Sequence, residues 1–298
     1  MCGIVGLFLK DAKLEPELGE LTADMLATMC DRGPDSAGFA VYGAVRPGKV
    51  KFTLQSSKPG EDFPALSSAL ERAAGRAPAI IVKSNHAVLT INEGDVSRVS
   101  TKIRTGFPNI RIMSVGEAVE IYKDVGKPTD VAARFGLSQM RGTHAVGHTR
   151  MATESAVTTL GAHPFSTGTD QCLVHNGSLS NHNNLRRELA RTGMRFETEN
   201  DTEVAAAYLT SRMGQGLDLG EALQKSLDDL DGFYTFVVGS KSGFGVLRDP
   251  IACKPAVMAE TDDYVAFGSE YRALVNLPGI EGARVWEPEP ATVYFWER

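Results

Sequence analysis

Apolar residues recur every three or four positions at Leu14, Leu18, Leu21, Met25 and Met29, the spacing of one buried face of an amphipathic helix. Residues 2–8 ahead of it form a short apolar run and predict a buried strand. Asp31-Arg32-Gly33-Pro34-Asp35 concentrates chain breakers and ends the helix, after which residues 39–42 resume as strand. The pattern is weaker between about 43 and 128. Leu66, Leu70 and Ala73 predict a helix over 62–74, residues 80–82 and 87–91 read as strands, and 118–122 fit either state.

Periodicity then sharpens. Residues 130–135 predict a helix and 144–149 a strand, while 172–174 form a strand running into His175-Asn176-Gly177, a turn signal. Asn181 stands as N-cap of a helix carrying Leu185 and Leu189 and closed by Gly193. Asp201 opens a helix over 203–213, and Leu219, Leu223, Leu227 and Leu230 stripe another over 218–230. Short apolar runs at 233–239, 243–248, 256–259, 264–268 and 292–296 alternate with turn residues and predict strands. Strands at both ends with helices between them predict an α/β sandwich of two sheets. Hairpin-length links between the last strands argue against a doubly wound parallel sheet.

Composition narrows the function classes. The chain has 298 residues, 42% hydrophobic and 23% charged, enough for one large domain or two small ones. Net charge is −6 with no basic stripe, so nucleic acid is not an expected partner. No apolar run reaches membrane length, and the apolar start is too short for a signal peptide, so a cytosolic chain is expected. The four cysteines, Cys2, Cys30, Cys172 and Cys253, show no CxxC spacing, so neither structural zinc nor a disulfide framework is expected.

Cys2 is the first candidate for chemistry. With Met1 removed, its thiol and the new α-amine belong to one residue. Free α-amines titrate near about 7.7–8.0 and thiols near about 8.5, so nucleophile and base would lie together. A retained Met1 would block that base as an amide. Alone, a cysteine at position 2 reads as a small buried residue. Four segments accompany it: Arg32-Gly33-Pro34-Asp35-Ser36-Ala37-Gly38, Gly147-His148-Thr149-Arg150-Met151-Ala152-Thr153, His175-Asn176-Gly177-Ser178-Leu179-Ser180-Asn181 and Asn200-Asp201-Thr202-Glu203. Singly these read as a helix stop, a surface cation, an ordinary turn and an N-cap. Together and in this order they point to one site.

In these motifs the chain resembles the class II glutamine amidotransferases, within the N-terminal nucleophile hydrolases. The resemblance covers about residues 2–42 and 129–275. Within that family it is most similar to stand-alone glutaminase subunits of glutamate-synthase-like enzymes, such as the glutaminase subunit of N-methylglutamate synthase. The resemblance implies a four-layer αββα sandwich with neither cofactor nor metal. It implies that Cys2 attacks the glutamine side-chain amide, that Asn176 and the Gly177 N–H form the oxyanion hole, and that Arg150 pairs with the substrate carboxylate. It further implies that Asp201 receives the substrate ammonium, that Thr153 lies on the loop over glutamine, and that Arg32 and Gly33 shape the pocket through their backbone. His148, His163 and His175 read as structural, His86 and His144 as core or surface. Arg248-Asp249-Pro250 and Gly268-Ser269-Glu270 read as packing and turn elements.

The chain departs from the family in two places. An insertion is expected within about 44–128 of what is otherwise a single domain, and Met151 stands where an aromatic residue is common. No acceptor-using domain is evident, so a separate synthase subunit is the expected partner for the ammonia. Two alternatives stay open: a γ-glutamyl amide hydrolase of the same fold, and a non-catalytic amino-acid-binding subunit.

Overall fold

The computed structural model describes residues 2–75, 77–152 and 156–298. The chain begins with β1 (Gly3–Leu9), α1 (Leu18–Ala27) and β2 (Ser36–Tyr42). It continues through β3 (Lys49–Ser56), α2 (Pro59–Ala74), β4 (Ala79–Lys83), β5 (His86–Asn92), α3 (Val96–Gly106) and β6 (Ile110–Gly116). Next come β7 (Val119–Val125), α4 (Pro128–Phe135), β8 (His144–Arg150) and β9 (Cys172–Leu179). Three helices follow: α5 (His182–Arg191), α6 (Asp201–Gly214) and α7 (Leu219–Asp229). The last strands are β10 (Gly232–Gly239), β11 (Gly243–Arg248), β12 (Val257–Glu260), β13 (Tyr264–Gly268), β14 (Arg284–Trp286) and β15 (Val293–Glu297).

A seven-stranded sheet, in the order β14-β12-β13-β1-β8-β2-β7, faces a four-stranded sheet, β15-β11-β10-β9. Every strand pair within them is antiparallel. Period-2 alternation explains the stacking. On β1, Val5, Leu7 and Leu9 pack toward α1 and α4, whereas Ile4 and Phe8 turn inward against Val174, Val237 and Phe244 of the second sheet. On the second sheet, Leu173, Phe236 and Val238 face the other way, onto α6 and α7. Helices therefore cover both outer faces, and the fold is the expected four-layer αββα sandwich. Strands buried on both faces read as unbroken apolar runs, which is why β1 and β10 were legible in the sequence.

A third sheet, β4-β5-β3-β6, is also antiparallel. One of its faces is covered by α2 and α3 through Phe52, Leu54, Phe63, Leu66 and Ile103. It occupies the stretch where the pattern was weakest, and β3, α3 and β6 were not anticipated there. Residues 118–122, left ambiguous, belong to strand β7.

Four local expectations shift. The first helical pattern is broken by Pro16 into a 3-10 turn (Ala12–Glu17) and α1. His175-Asn176-Gly177 is not a turn, because β9 continues through it to Leu179 against β10. Asn181 stands at an N-cap position without a capping bond; its amide donates to Asp229 O and its carbonyl accepts from Asp231 N. Helix α6 is capped by Asn200, whose side chain accepts from Thr202 N, leaving Asp201 as the first helical residue. Asp218 caps α7 in a full capping box with Glu221. No helix among the described residues is long and apolar enough to cross a membrane.

Candidate active site

Gly3 pairs with Thr149 and Ser36 with Arg150, so Cys2 sits at the end of three adjacent strands, beside Arg150. Its Sγ lies 4.0 Å from Met151 O, and the residue is partly exposed. Two buried side chains converge on its carbonyl. Arg32 Nε donates to Cys2 O at 2.9 Å, and Asn176 Nδ2 donates from the second sheet at 3.2 Å. The two sheets are thus joined at Cys2. The sequence reading gave Arg32 a backbone task; the structure adds a side-chain one.

Glycines make these approaches possible. A Cβ on Gly33 would stand 2.4 Å from Thr149 C, so the Arg-Gly-Pro-Asp segment lies flat on β8 only without a side chain. Gly177 has φ +151°, and a Cβ there would reach 2.0 Å from Phe233 O. Asn-Gly here serves a distorted strand end, which is the physical reason the turn reading fails. Asp35 stitches two motifs together: its N–H donates to Arg150 O at 3.1 Å and its carboxylate accepts from Ala152 N at 2.8 Å.

Arg150 ends β8 almost buried, with Nη1 3.4 Å from Ala156 O. Asp201, at the N-terminus of α6, accepts from Leu179 N at 2.9 Å and lies 3.7 Å from His175 Nδ1. Burial raises the Asp201 pKa, but the His175 ring and the Leu179 N–H outweigh it and bring it down to about 2. The helix N-terminus acts in the same direction. Its carboxylate is therefore ionised at neutral pH. Thr153, the remaining candidate, lies outside the described residues, as does Met1.

The histidines form a buried column beside Asp201. His148 and His163 stack at 4.0 Å between ring centroids, and His163 Nε2 and His175 Nδ1 reach Thr202 Oγ1 at 2.7 and 3.0 Å. Burial drops His148 to about 3 and pushes His163 well down, so both are neutral packing groups near pH 7.

The sequence reading missed Ser269 and Glu270 as site elements. Ser269 Oγ accepts from Ile4 N, and its own N–H donates to Ile4 O, both at 2.9 Å. Glu270 pairs with Arg32 at 2.5 Å and with Arg272 at 2.7 Å, and the Arg32 hydrogen bond lowers its pKa. Glu270 is 238 residues from Arg32 in sequence, so no local signal links them.

A family model described as glutamine amidotransferase domain matches residues 148–276. The glutamine amidotransferase-like protein GlxB of Rhizobium meliloti (strain 1021) is 69% identical over 297 residues, covering 100% of this chain and 98% of that protein. The chain belongs to the class II glutamine amidotransferase family. A putative glutamine amidotransferase of Methanothermobacter thermautotrophicus is 34% identical to this amidotransferase, covering 99% of each chain. Among solved structures, the glutamine phosphoribosylpyrophosphate amidotransferase from B. subtilis superposes with a TM-score of 0.63 at 20% identity, a likeness of fold. That superposition covers 99% of this chain but 47% of the B. subtilis enzyme. This amidotransferase is thus a glutamine-hydrolysing enzyme of the N-terminal nucleophile class.

Proposed function

We propose that the chain is the glutaminase subunit of a synthase assembled from separate chains, hydrolysing glutamine through a Cys2 thioester. The observation that carries this reading is the Cys2 carbonyl held by both Arg32 and Asn176 where the two sheets meet. After removal of Met1, the α-amine takes the thiol proton as Sγ attacks the amide carbonyl. The developing oxyanion is stabilised by the Asn176 amide and the Gly177 N–H; one such donor is worth ~3 kcal/mol. Collapse breaks the C–N bond, the amine returns the proton to the leaving nitrogen, and ammonia departs. Water then attacks the thioester and releases glutamate, restoring the thiol.

Arg150 and Asp201 grip the substrate carboxylate and ammonium, the former through a planar guanidinium suited to bidentate pairing. Arg32 with Gly33 sets the Cys2 main chain. We assign the small sheet as an insertion that docks the synthase subunit. Its edge strand β4 leaves Ile81 63% and Val82 52% exposed, beside the cations Arg46, Lys83 and Arg141. The subunit works in the cytosol, where its four thiols stay reduced.

Intact mass spectrometry with and without a diazo-ketone glutamine analogue tests the scheme. The expected result is a chain lacking Met1 that gains one adduct, mapped to Cys2. An unmodified chain that retains Met1 yet hydrolyses glutamine would sink it.

A further inference from the structure

A cavity of about 710 Å³ lies between the small sheet and the core, and Cys2, Asn176, Arg150 and Asp201 are not among its lining residues. Its walls come from α3 and β6 of the small sheet and from two core segments, 165–169 and 193–198. We propose that this cavity is a second ligand site, for a small hydroxylated oxyanion, whose occupancy is felt at the glutamine-gripping residues.

The charge inventory points to an anion. The two carboxylates in the lining are already committed. Glu203 accepts from Glu197 N, Thr198 N and Thr198 Oγ1 at 2.8, 2.8 and 2.6 Å, and Glu197 pairs with Arg104 at 2.9 Å. Of the three lining cations, Arg104 is taken by Glu197, whereas Lys123 and Arg195 form no ion pair with a carboxylate among the described residues. Lys123 is 4% exposed and donates to the carbonyls of Leu160, Ala162 and Pro164 at 3.2, 2.8 and 3.1 Å, and no carboxylate among the described residues ion-pairs with it. Arg195, exposed at the rim, likewise has no carboxylate partner among the described residues. Burial draws the Lys123 pKa down to about 7, although Glu203 and Glu197, both in the lining, pull it the other way. An anion in the cavity compensates that charge.

Hydroxyl groups supply the rest of the recognition. Ser114, Thr167, Thr169 and Thr210 line the cavity, and Thr167 and Thr210 are hydrogen-bonded at 2.8 Å. Behind Thr210 and outside the lining, Gln171 accepts from Thr210 Oγ1, while its Nε2 is buried with no acceptor among the described residues. Such a lining suits a polyol carrying one oxyanion, phosphate or carboxylate.

Two chain segments connect this cavity to the glutamine site. Between the lining residues Leu160 and Phe165 the chain carries His163, outside the lining, whose Nε2 bonds Thr202 Oγ1 beside Asp201. The wall at 193–198 runs directly into Asn200 and Asp201, and Arg186 Nη2 fixes Asn200 O at 3.3 Å. A ligand that moves either wall therefore moves the residues around Asp201. This coupling rests on the role assigned to Asp201 above; binding itself does not.

Isothermal calorimetry of the full chain with glucose 6-phosphate, gluconate and glucose tests the site, alongside the KM for glutamine with each. At least one anion is expected to bind and glucose is not, the stronger anion identifying the oxyanion as phosphate or carboxylate. Arg195→Glu, on the exposed rim, should weaken that binding about tenfold or more. The bound anion should shift KM for glutamine by about twofold or more. The proposal is overturned by absence of heat with both anions, by equal binding of glucose, or by unchanged affinity in Arg195→Glu. Binding with an unmoved KM overturns the coupling. A chain that binds an anion but lacks glutaminase activity would instead refute the glutaminase reading.

Discussion

The two-sheet core and the small sheet are both antiparallel, but they are covered differently. In the core, helices close both outer faces and the two sheets close the inner ones, so strand ends cannot slide. Cys2, Arg150 and Asn176 all sit at or near such ends. In the small sheet only one face is covered by its own helices, and the edge strand β4 is open. The seam between them is bonded: the His86 ring packs edge-on against Phe135 at 4.7 Å, Asn85 Nδ2 donates to Asp124 at 3.0 Å, and Lys51 pairs with Glu120 at 3.0 Å. The difference teaches that one region spends its burial on holding atoms still, while the other leaves surface for partners and ligands.

The largest test of that division is Phe52→Ala. Phe52 is fully buried in the small sheet, so its truncation should cost ~3–5 kcal/mol of stability, read by chemical unfolding. Where the variant remains folded, kcat for glutamine should stay within about twofold if the regions are energetically separate. A matching loss of kcat would break the comparison.

Asn176→Ala makes the converse cut in the core. The expected loss is ~10²–10³ in kcat, about 3 kcal/mol, with KM little changed, because an oxyanion donor acts in the transition state. Steady-state kinetics check it, and a change confined to KM would reassign Asn176 to substrate binding.

Acid should find the core and its seam. Burial lowers the His86, His144 and His148 pKa values to about 3, so the folded chain withholds protons that the unfolded chain binds below about 6.5. Their stability contribution is complete above pH ~6.5 and is lost as pH falls toward about 3, by up to ~1.4 kcal/mol per ring per pH unit. Asp201 adds nothing between pH 7.5 and 5: its depressed pKa stabilises fully above ~3.9, and that contribution is lost as pH falls from there through about 2. Thermal unfolding at pH 7.5 and 5 checks this, and an unchanged midpoint would contradict it.

The smallest effect belongs to the open edge. Ile81→Lys should change stability by no more than ~0.5 kcal/mol and leave glutaminase kinetics intact, while weakening association with a synthase subunit. A large drop in unfolding midpoint would show that β4 is already covered by this chain.

The αββα architecture was readable because core strands and helices carry strong periodicity, and the helix bearing Leu219 and Leu223 carries its cap as well. The small sheet was less readable because half-covered strands such as β3, with Lys49 and Lys51 among its apolar residues, do not form clean runs. The candidate site's members stand in the sequence as motifs, each set by a local need: glycine at Gly33 and Gly177, a carboxylate at a helix start in Asp201.

The convergence was not legible. That Arg32 and Asn176 meet at one carbonyl, that Glu270 holds Arg32, and that Lys123 lies buried in a cavity wall are decided by strand order and register. Sequence determines local preference because neighbours along the chain interact at a fixed spacing. Contacts between residues a hundred or more positions apart exist only once burial has chosen one stacking of the sheets, and only the tertiary structure records that choice.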